Sequence, residues 1–229
     1  MKLKEIEKVT EIQNIPAGGF STWLRRTKNA LMKNEGANVP CGECTACCTS
    51  SYFIHIKPDE TQTLARIPEE LLFPAPGLPD GNVLLGYDEN GRCPMFVDRK
   101  CSIYDHRPQT CRTFDCRIFP ATGFPAGEDK QLISRQARRW KFDFPTTKDH
   151  KQFSCLQSTA KFLSEQTECF PAGFVPGNTT QQAVLAIKVY DVFLNITNKS
   201  DNSEHEDLNH EIAEAVIAAY EKFETENID

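Results

Sequence analysis

Four cysteines fall within eight residues, in the stretch CGECTACC at positions 41–48. A free thiol has a pKa of about 8.5, and several thiolates held close together repel one another. A bound cation removes both obstacles, because it stabilises the ionised thiols and offsets their charge. Cysteines at such short spacings are typical ligands of zinc and of iron–sulfur clusters. The stretch therefore predicts a metal site.

Eight of the ten cysteines lie between residues 41 and 116, and this clustering predicts that all eight are metal ligands. A chain of 229 residues can build its own core, so we do not expect disulfides to be needed for stability. The eight predicted ligands are Cys41, Cys44, Cys47, Cys48, Cys93, Cys101, Cys111 and Cys116.

An iron–sulfur cluster, preferably [4Fe–4S], is the first of two metals that the spacing allows. Cys41, Cys44 and Cys47 have the CxxCxxC spacing with which bacterial ferredoxin runs begin. Those runs end in a cysteine followed by proline, and Cys93 with Pro94 is the remote candidate here. These four cysteines are therefore the predicted cluster ligands.

Zinc is the second metal, and it is favoured by two cysteine pairs with zinc-like spacing. Two residues separate Cys41 from Cys44, and four separate Cys111 from Cys116. Pairs of this kind commonly supply the four ligands of a tetrahedral zinc site. The CxxCxxC loop and the Cys-Pro dipeptide favour iron–sulfur by a small margin.

The adjacent cysteines Cys47 and Cys48 raise a separate question. Neighbouring side chains point to opposite faces of a strand and about 100° apart on a helix. They are therefore poorly placed to bind one mononuclear metal equally. Either the two divide between two sites, or one of them is a packed thiol that behaves as a small hydrophobic residue.

Several residues outside this set are weaker candidates. His106 lies among the cysteines and is a possible ligand or a residue that orients one. Cys155 and Cys169 lie far along the chain and are expected to be packed or exposed thiols. Four arginines could offset the charge of a thiolate site or lie solvated on the surface: Arg92, Arg107, Arg112 and Arg117.

Composition and charge narrow the class of protein. Hydrophobic residues make up 39% and charged residues 25%, as in ordinary globular proteins. Residues 201–229 hold ten acidic residues and one lysine, while the rest holds 25 basic and 22 acidic residues, which gives no nucleic-acid footprint. Because the first residues are charged, we do not expect export. Because no apolar run is long enough, we do not expect a membrane span. We expect a cytoplasmic protein.

The elements expected to position the cysteines predict an α+β fold. A small cysteine-rich metal-binding region with short strands and long loops would pack on a mainly helical C-terminal half. We expect an N-terminal helical segment at 1–38, the cysteine-rich region at 39–126 and a helical region at 127–229, together forming one compact domain.

Finer expectations concern single elements. Ser21 or Thr22 should cap the first helix, and a hairpin should join 82–87 to 92–97 through the turn DENG. The buried strand formers and apolar stripes predict strands at 51–56 and 101–104 and helices near 128–141, 149–166, 179–196 and 206–225.

The cysteine pattern resembles a known family. CGECTACC followed by GRCPMFVDRKCSIYDHRPQTCRTFDC is similar to the YkgJ-type cysteine-cluster family, a zinc- or iron-chelating domain with the motif CxxCxxCC. The motif covers a third of the chain and includes all eight clustered cysteines. Relatives in this family include flagellin-lysine methylases, so the resemblance also makes an enzyme conceivable.

Three functions follow from these observations. The leading hypothesis is a cytoplasmic metal-binding protein with an iron–sulfur cluster or zinc, serving redox chemistry, sensing or metal handling. The second is a zinc-stapled interaction module that binds a protein partner and has no redox chemistry. The third is a methyltransferase-associated enzyme that uses the cluster, although we find no Gly-rich nucleotide loop.

Overall fold

The computed structural model describes residues 13–33, 35–37, 39, 41–196 and 205–226, without the side chains of 205–207. Nine α-helices and seven short strands form within these residues, which confirms the predicted α+β class. The helices are α1 (Phe20–Met32), α2 (Thr61–Leu64), α3 (Gln109–Thr113), α4 (Ile118–Thr122), α5 (Gln131–Arg139), α6 (Thr147–Glu165), α7 (Thr179–Val189), α8 (Asp191–Ile196) and α9 (His205–Thr225). The strands are β1 (Ile15–Gly19), β2 (Ile54–Ile56), β3 (Leu72–Pro74), β4 (Val83–Leu85), β5 (Phe96–Val97), β6 (Lys100–Cys101) and β7 (Trp140–Asp143).

The strands form three small sheets. β1 and β7 pair in parallel, and β2, β4 and β3 form an antiparallel sheet in that order. β5 and β6 make a two-stranded antiparallel ribbon. The last two sheets lie in the cysteine-rich region, where short strands and turns set the positions of the thiols.

Most helices surround one large hydrophobic cluster, which we call the main core. α6 and α7 pack against each other, and α1, α4 and α9 pack around them. Phe20, Leu24, Leu156 and Leu163 are completely or almost completely buried there. Within the described residues, no helix is both long enough and apolar enough to span a membrane.

A second, smaller core lies beneath the antiparallel sheet. Its buried members are Ile56, Ile67, Leu85 and Ile103. Two cysteines, Cys93 and Cys101, pack against it. A core with four buried side chains contributes little burial free energy, so this part of the fold depends on additional stabilisation.

The predicted helix near 206–225 is confirmed as α9, on which Ile212, Val216 and Phe223 are buried. The predicted helix near 179–196 is divided at Tyr190 into α7 and α8. α7 is buried in the main core, while α8 packs against that core with partly exposed side chains.

The predicted hairpin between 82–87 and 92–97 is wrong. β4 pairs with β2 and β3, while β5 pairs with β6. The turn itself is present, because the Asp88 N–H donates to the Arg92 carbonyl oxygen at 2.8 Å. Pro94 follows immediately, and a proline has no N–H with which to continue a ladder.

The predicted helical segment at 1–38 and the predicted helical region at 127–229 each contain a strand. Residues 15–19 form β1 and residues 140–143 form β7, while residues 1–12, 34 and 38 of the first segment lie outside the described residues. The N-cap of α1 is Gly19 rather than Ser21 or Thr22. Strands about 125 residues apart give no local signal of their pairing.

A buried carboxylate joins α1 to α6. Asp149 closes a capping box with Thr146 at the start of α6. Its Oδ1 also accepts the backbone N–H of Ser21 at 2.8 Å, at the start of α1. The Thr146 hydroxyl and these N–H groups hold the pKa of Asp149 well below its usual range. One side chain therefore satisfies donors at two helix starts.

Asp149→Asn should lower the urea midpoint at pH 7, because the amide replaces a charged acceptor that serves both helices. The folded pKa of Asp149 lies below the unfolded value of about 3.9, so its contribution is fully present above that pH and is lost progressively as the pH falls from there towards the folded pKa. The gap between wild type and variant should therefore narrow from pH 7 towards pH 3. Asp143→Asn, at an exposed position, is the control. A gap that stays constant with pH would contradict this assignment.

Candidate metal centre

The loop at 41–50 is fixed by its own hydrogen bonds. The Cys44 N–H donates to the Cys41 carbonyl oxygen at 3.0 Å. The Ser50 hydroxyl donates to the Ala46 carbonyl oxygen at 2.6 Å, and Thr49 bonds in the same way one residue earlier. A short 3₁₀ turn at Cys47–Thr49 follows. The loop thus presents several thiols from a defined backbone.

Four thiols, which we call the first group, are electrostatic neighbours, and one of them belongs to the main core. Cys116 is buried in that core, just before α4. Repulsion from Cys116 contributes to the raised pKa of Cys47, and repulsion from Cys41 and Cys44 contributes to the raised pKa of Cys116. The first group consists of Cys41, Cys44, Cys47 and Cys116.

A second set, which we call the second group, lies against the smaller core. The Cys93 N–H donates to the Cys48 carbonyl oxygen at 2.8 Å, and Cys101 pairs in register with Phe96 on the ribbon that follows Cys93. Cys111 on α3 has these three thiols as its electrostatic neighbours. The second group consists of Cys48, Cys93, Cys101 and Cys111. Cys48 also has Cys44 and Cys41 as electrostatic neighbours, so the two groups adjoin at this residue.

Burial and mutual repulsion oppose ionisation in both groups. Burial raises the pKa of Cys116 to about 12, with further increments from Asp115 and the loop thiols. Burial likewise raises the pKa of Cys111 to about 12 and that of Cys48 to about 11, with repulsion from Cys93 adding in each case. Cys47 retains an exposed surface, yet atoms crowded around its thiol raise its pKa well above the usual value.

Trp140 donates a hydrogen bond to the first group. Its indole N–H lies 3.2 Å from the Cys116 Sγ, and the indole is buried at 2% exposure. This bond lowers the pKa of Cys116 against the effect of burial. An N–H donor beside a sulfur stabilises the thiolate form, which is the form that binds metal.

A buried ion pair flanks Cys116 on both sides in sequence. The Arg117 guanidinium donates to both oxygens of Asp115 at 2.8–3.0 Å. The Trp23 indole N–H donates to the Asp115 Oδ2 at 2.9 Å. With its carboxylate engaged in this way, Asp115 positions the backbone around Cys116 and ties it to α1.

The other arginines act differently from one another. Arg107 partly counteracts the raised pKa of Cys41 and of Cys111, so its charge reaches both groups. Arg112 lies 3.9 Å from the carboxylate of Glu60. Arg117 lowers the pKa of Cys41 in the same direction.

The weaker candidates take other positions. His106 lies in a 3₁₀ turn, where its carbonyl oxygen accepts the Thr63 hydroxyl at 2.8 Å. Cys155 is buried in α6 near the phenol of Tyr190, and Cys169 packs against the main core. None of the ten cysteines, all of which lie in the described part of the chain, forms a disulfide.

The donor chemistry of both groups fits zinc or an iron–sulfur cluster, because soft thiolates are the preferred ligands of both. Among the described residues, no three His, Cys, Asp or Glu side chains meet as a group that could hold a metal ion in their present positions. The fit therefore rests on the type of donor and on which thiols neighbour each other. Cys93, the expected fourth ligand of the CxxCxxC loop, lies in the second group, and Cys116 is the neighbour of that loop.

Comparison with known proteins bears on the same residues. Residues 40–140 match the family model CxxCxxCC, whose description is "putative zinc- or iron-chelating domain". The match covers less than half of the chain, so it describes this stretch alone. The resemblance seen in the sequence is confirmed, and the matched stretch extends beyond Cys116 as far as Trp140. No curated protein and no solved structure matches the chain.

Sequence reasoning missed two residues beside the thiols of this stretch. Trp140 lies 24 residues after the thiol that it contacts. Tyr52 lies near Cys47 and Cys116, and burial raises its pKa to about 12. Their positions depend on packing across distant segments, so no local spacing could have revealed them. That Trp140 is one of only two tryptophans was the sole available hint.

Replacing both outlying cysteines, Cys155→Ala with Cys169→Ala, should leave the bound metal per chain unchanged. Both positions belong to the helical part, and the change should cost about 1 kcal/mol for each thiol that is buried. Metal analysis of the double variant beside the wild type checks this. Loss of a metal equivalent would show that the helical half donates a ligand.

Trp140→Phe should weaken metal retention without removing a ligand. Loss of a hydrogen bond that orients a ligand typically costs 10-fold or more in metal affinity. The control is Phe162→Leu, which reduces a buried aromatic side chain elsewhere in the main core and leaves the Cys116 bond in place. Chelator competition should show a larger loss in Trp140→Phe, and equal losses in the two variants would contradict a specific role for the N–H···S bond.

Proposed function

We propose that this protein is a cytoplasmic metal-binding protein that holds iron as an iron–sulfur cluster through the eight clustered cysteines. The observation that carries the proposal is the gathering of thiols from residues 41–116 into neighbourhoods where burial and repulsion resist ionisation. A positively charged metal core reverses that balance, because it binds the thiolate form. The match to a zinc- or iron-chelating domain supports metal binding in general.

Iron–sulfur is favoured over zinc by features of the first group. Cys41, Cys44 and Cys47 have the CxxCxxC spacing of ferredoxin loops. The Trp140 N–H donates to a cysteine sulfur, and hydrogen bonds to sulfur are among the means by which proteins tune such clusters. A cluster in this setting would supply one-electron redox chemistry or sensing, and reducing cytoplasmic conditions would keep the thiols available.

Zinc is the alternative, and the smaller core favours it as a staple. The antiparallel sheet and the ribbon have only four buried apolar side chains beneath them. Metal binding there would supply folding free energy directly, as in zinc-stabilised domains. In that case the CxxCxxCC domain would be an interaction module for a protein partner.

Anaerobic purification of the full chain distinguishes these functions. We expect a brown protein with bound iron and acid-labile sulfide in equal amounts, because a [4Fe–4S] cluster contains both. Cys41→Ser and Cys44→Ser should each lower the iron content sharply, and Cys155→Ser is the matched control. A colourless protein with zinc and no sulfide would establish the alternative, and a wild type without either metal would overturn metal binding.

A further inference from the structure

The antiparallel sheet of β2, β4 and β3 has one face on the smaller core and one face directed away from it. Ile56 and Leu85 point into that core and are almost completely buried. Successive residues of a strand point to opposite faces, so the outer face carries His55, Leu84 and Phe73, which lie opposite one another in register. Among the described residues, neither hydrophobic core includes these three side chains. The outer face is therefore partly apolar without serving either core.

Three aromatic rings meet on this outer face, and we call Phe53, Phe73 and Tyr87 the aromatic patch. The Phe53 ring centroid lies 5.8 Å from that of Phe73, edge to face, and 5.0 Å from that of Tyr87. The two phenylalanine rings lie beside Gly86, where a Cβ would be 3.4 Å from one ring and 3.8 Å from the other.

The rings of the aromatic patch contact one another and are still largely open to solvent. Phe53 is 55% exposed, Phe73 38% and Tyr87 41%. Mutual ring contacts reduce the freedom of each side chain, so a partner would lose little entropy in ordering them. Clustered exposed aromatic side chains are typical of interaction surfaces, whereas single exposed apolar residues are common on any protein.

The chain around the aromatic patch is acidic. Residues 67–91, which include β3 and β4, contain five acidic residues and no lysine or arginine. Arg66 and Arg92 border this stretch, and counting both gives a net charge of 2 − 5 = −3.

Four of these five acidic residues lie at the end of the sheet that carries Phe53 and Tyr87. β3 begins at Leu72, which is opposite Leu85 at the end of β4, so the residues before β3 and after β4 share one end. Phe53 directly precedes β2 at that same end. The four exposed carboxylates, which we call the acidic rim, are Glu69, Glu70, Asp88 and Glu89.

The acidic rim decides which occupant the aromatic patch fits. Aromatic rings on a sheet also stack with the bases of single-stranded nucleic acids, but those surfaces carry basic side chains for the phosphates. A second copy bound about a two-fold axis would bring the acidic rim close to itself, because such contacts use the same surface on both chains. A basic partner instead meets opposite charge, which favours encounter and correct orientation.

We propose that the aromatic patch is a docking surface for a basic protein segment with an apolar anchor side chain. The anchor covers the three rings, and lysine or arginine side chains beside it contact the acidic rim. The surface lies on the outer face of the sheet, so this inference is independent of the metal and of the function proposed above.

Random peptides displayed on phage test this proposal. The bait is the full-length wild type, and peptides that also bind the variant Phe53→Ser with Phe73→Ser are removed. The peptides that remain should be enriched in lysine and arginine and should contain an aromatic or branched aliphatic residue. An enriched set with neutral or acidic composition would overturn the proposal, and so would a selection in which no peptide distinguishes the two baits.

Fluorescence anisotropy of one enriched basic peptide, synthesised with a fluorescein label, tests the two parts of the surface separately. The ring variant should lower affinity at least ~10-fold, as expected for apolar side chains at the centre of an interface. Leu78→Ser, which removes an exposed apolar side chain outside the aromatic patch, is the control and should bind as the wild type does. Equal losses in the two variants would contradict a role for the patch.

The carboxylates are tested with the rings left intact, so this arm does not depend on the stability of the ring variant. Glu70→Gln with Glu89→Gln should weaken binding about 2- to 5-fold at low salt, and the difference should shrink as salt screens the charges. The matched control is Asp59→Asn with Asp80→Asn, which removes two exposed carboxylates at the other end of the sheet. Equal effects of the two double variants at low salt would overturn the assigned role of the acidic rim.

Two further measurements examine the other occupants. Fluorescein-labelled oligo(dT) should not bind the wild type, and binding that is lost in the ring variant would identify a nucleic-acid surface. Sedimentation of the wild type should show no self-association that depends on the patch, and a dimer that the ring variant abolishes would identify a second copy. Either result would overturn the proposal while leaving metal binding intact.

Discussion

The physical constraint on which this structure depends is the cost of bringing thiolates together away from water. Eight thiols come from residues 41–116, and burial together with mutual repulsion raises the pKa of Cys48, Cys111 and Cys116 to about 11 or 12. At neutral pH such groups stay protonated unless a cation compensates. The thiols are positioned by short strands, by the turns at Cys47–Thr49 and Tyr104–His106, and by the ribbon.

The helical part of the fold supports only the first group of thiols. The main core reaches the first group through Cys116, and the N–H of Trp140 and the pair of Asp115 with Arg117 hold the surroundings of that residue. The Trp23 indole extends the same support to α1. The second group rests instead on a small sheet with four buried side chains, so its geometry depends more on what the thiols bind.

The sequence alone predicted a metal site, but it could not predict which thiols lie close to one another. Cysteine type and spacing predicted the metal site, the α+β class and the family resemblance, because short spacings in a loop constrain ligands locally. The position of Cys116 beside the 41–47 loop, the pairing of β1 with β7 and the bond from Trp140 depend on contacts between distant segments. The turn at 88–91 was predicted correctly. The hairpin was wrong because the apolar strand β4 pairs with β2 and β3 instead of β5.

The adjacency of Cys47 and Cys48 acquires a physical meaning from this arrangement. Both residues lie in one 3₁₀ turn, where Cys116 is the strongest charge neighbour of Cys47 and Cys93 that of Cys48. Arg107 acts on Cys41 in the first group and on Cys111 in the second, so the same cation lies within electrostatic reach of both. A change of charge in one group would therefore be felt in the other, since charges at short range in a partly buried setting are weakly screened. The two neighbourhoods therefore adjoin at Cys48 and are electrostatically coupled.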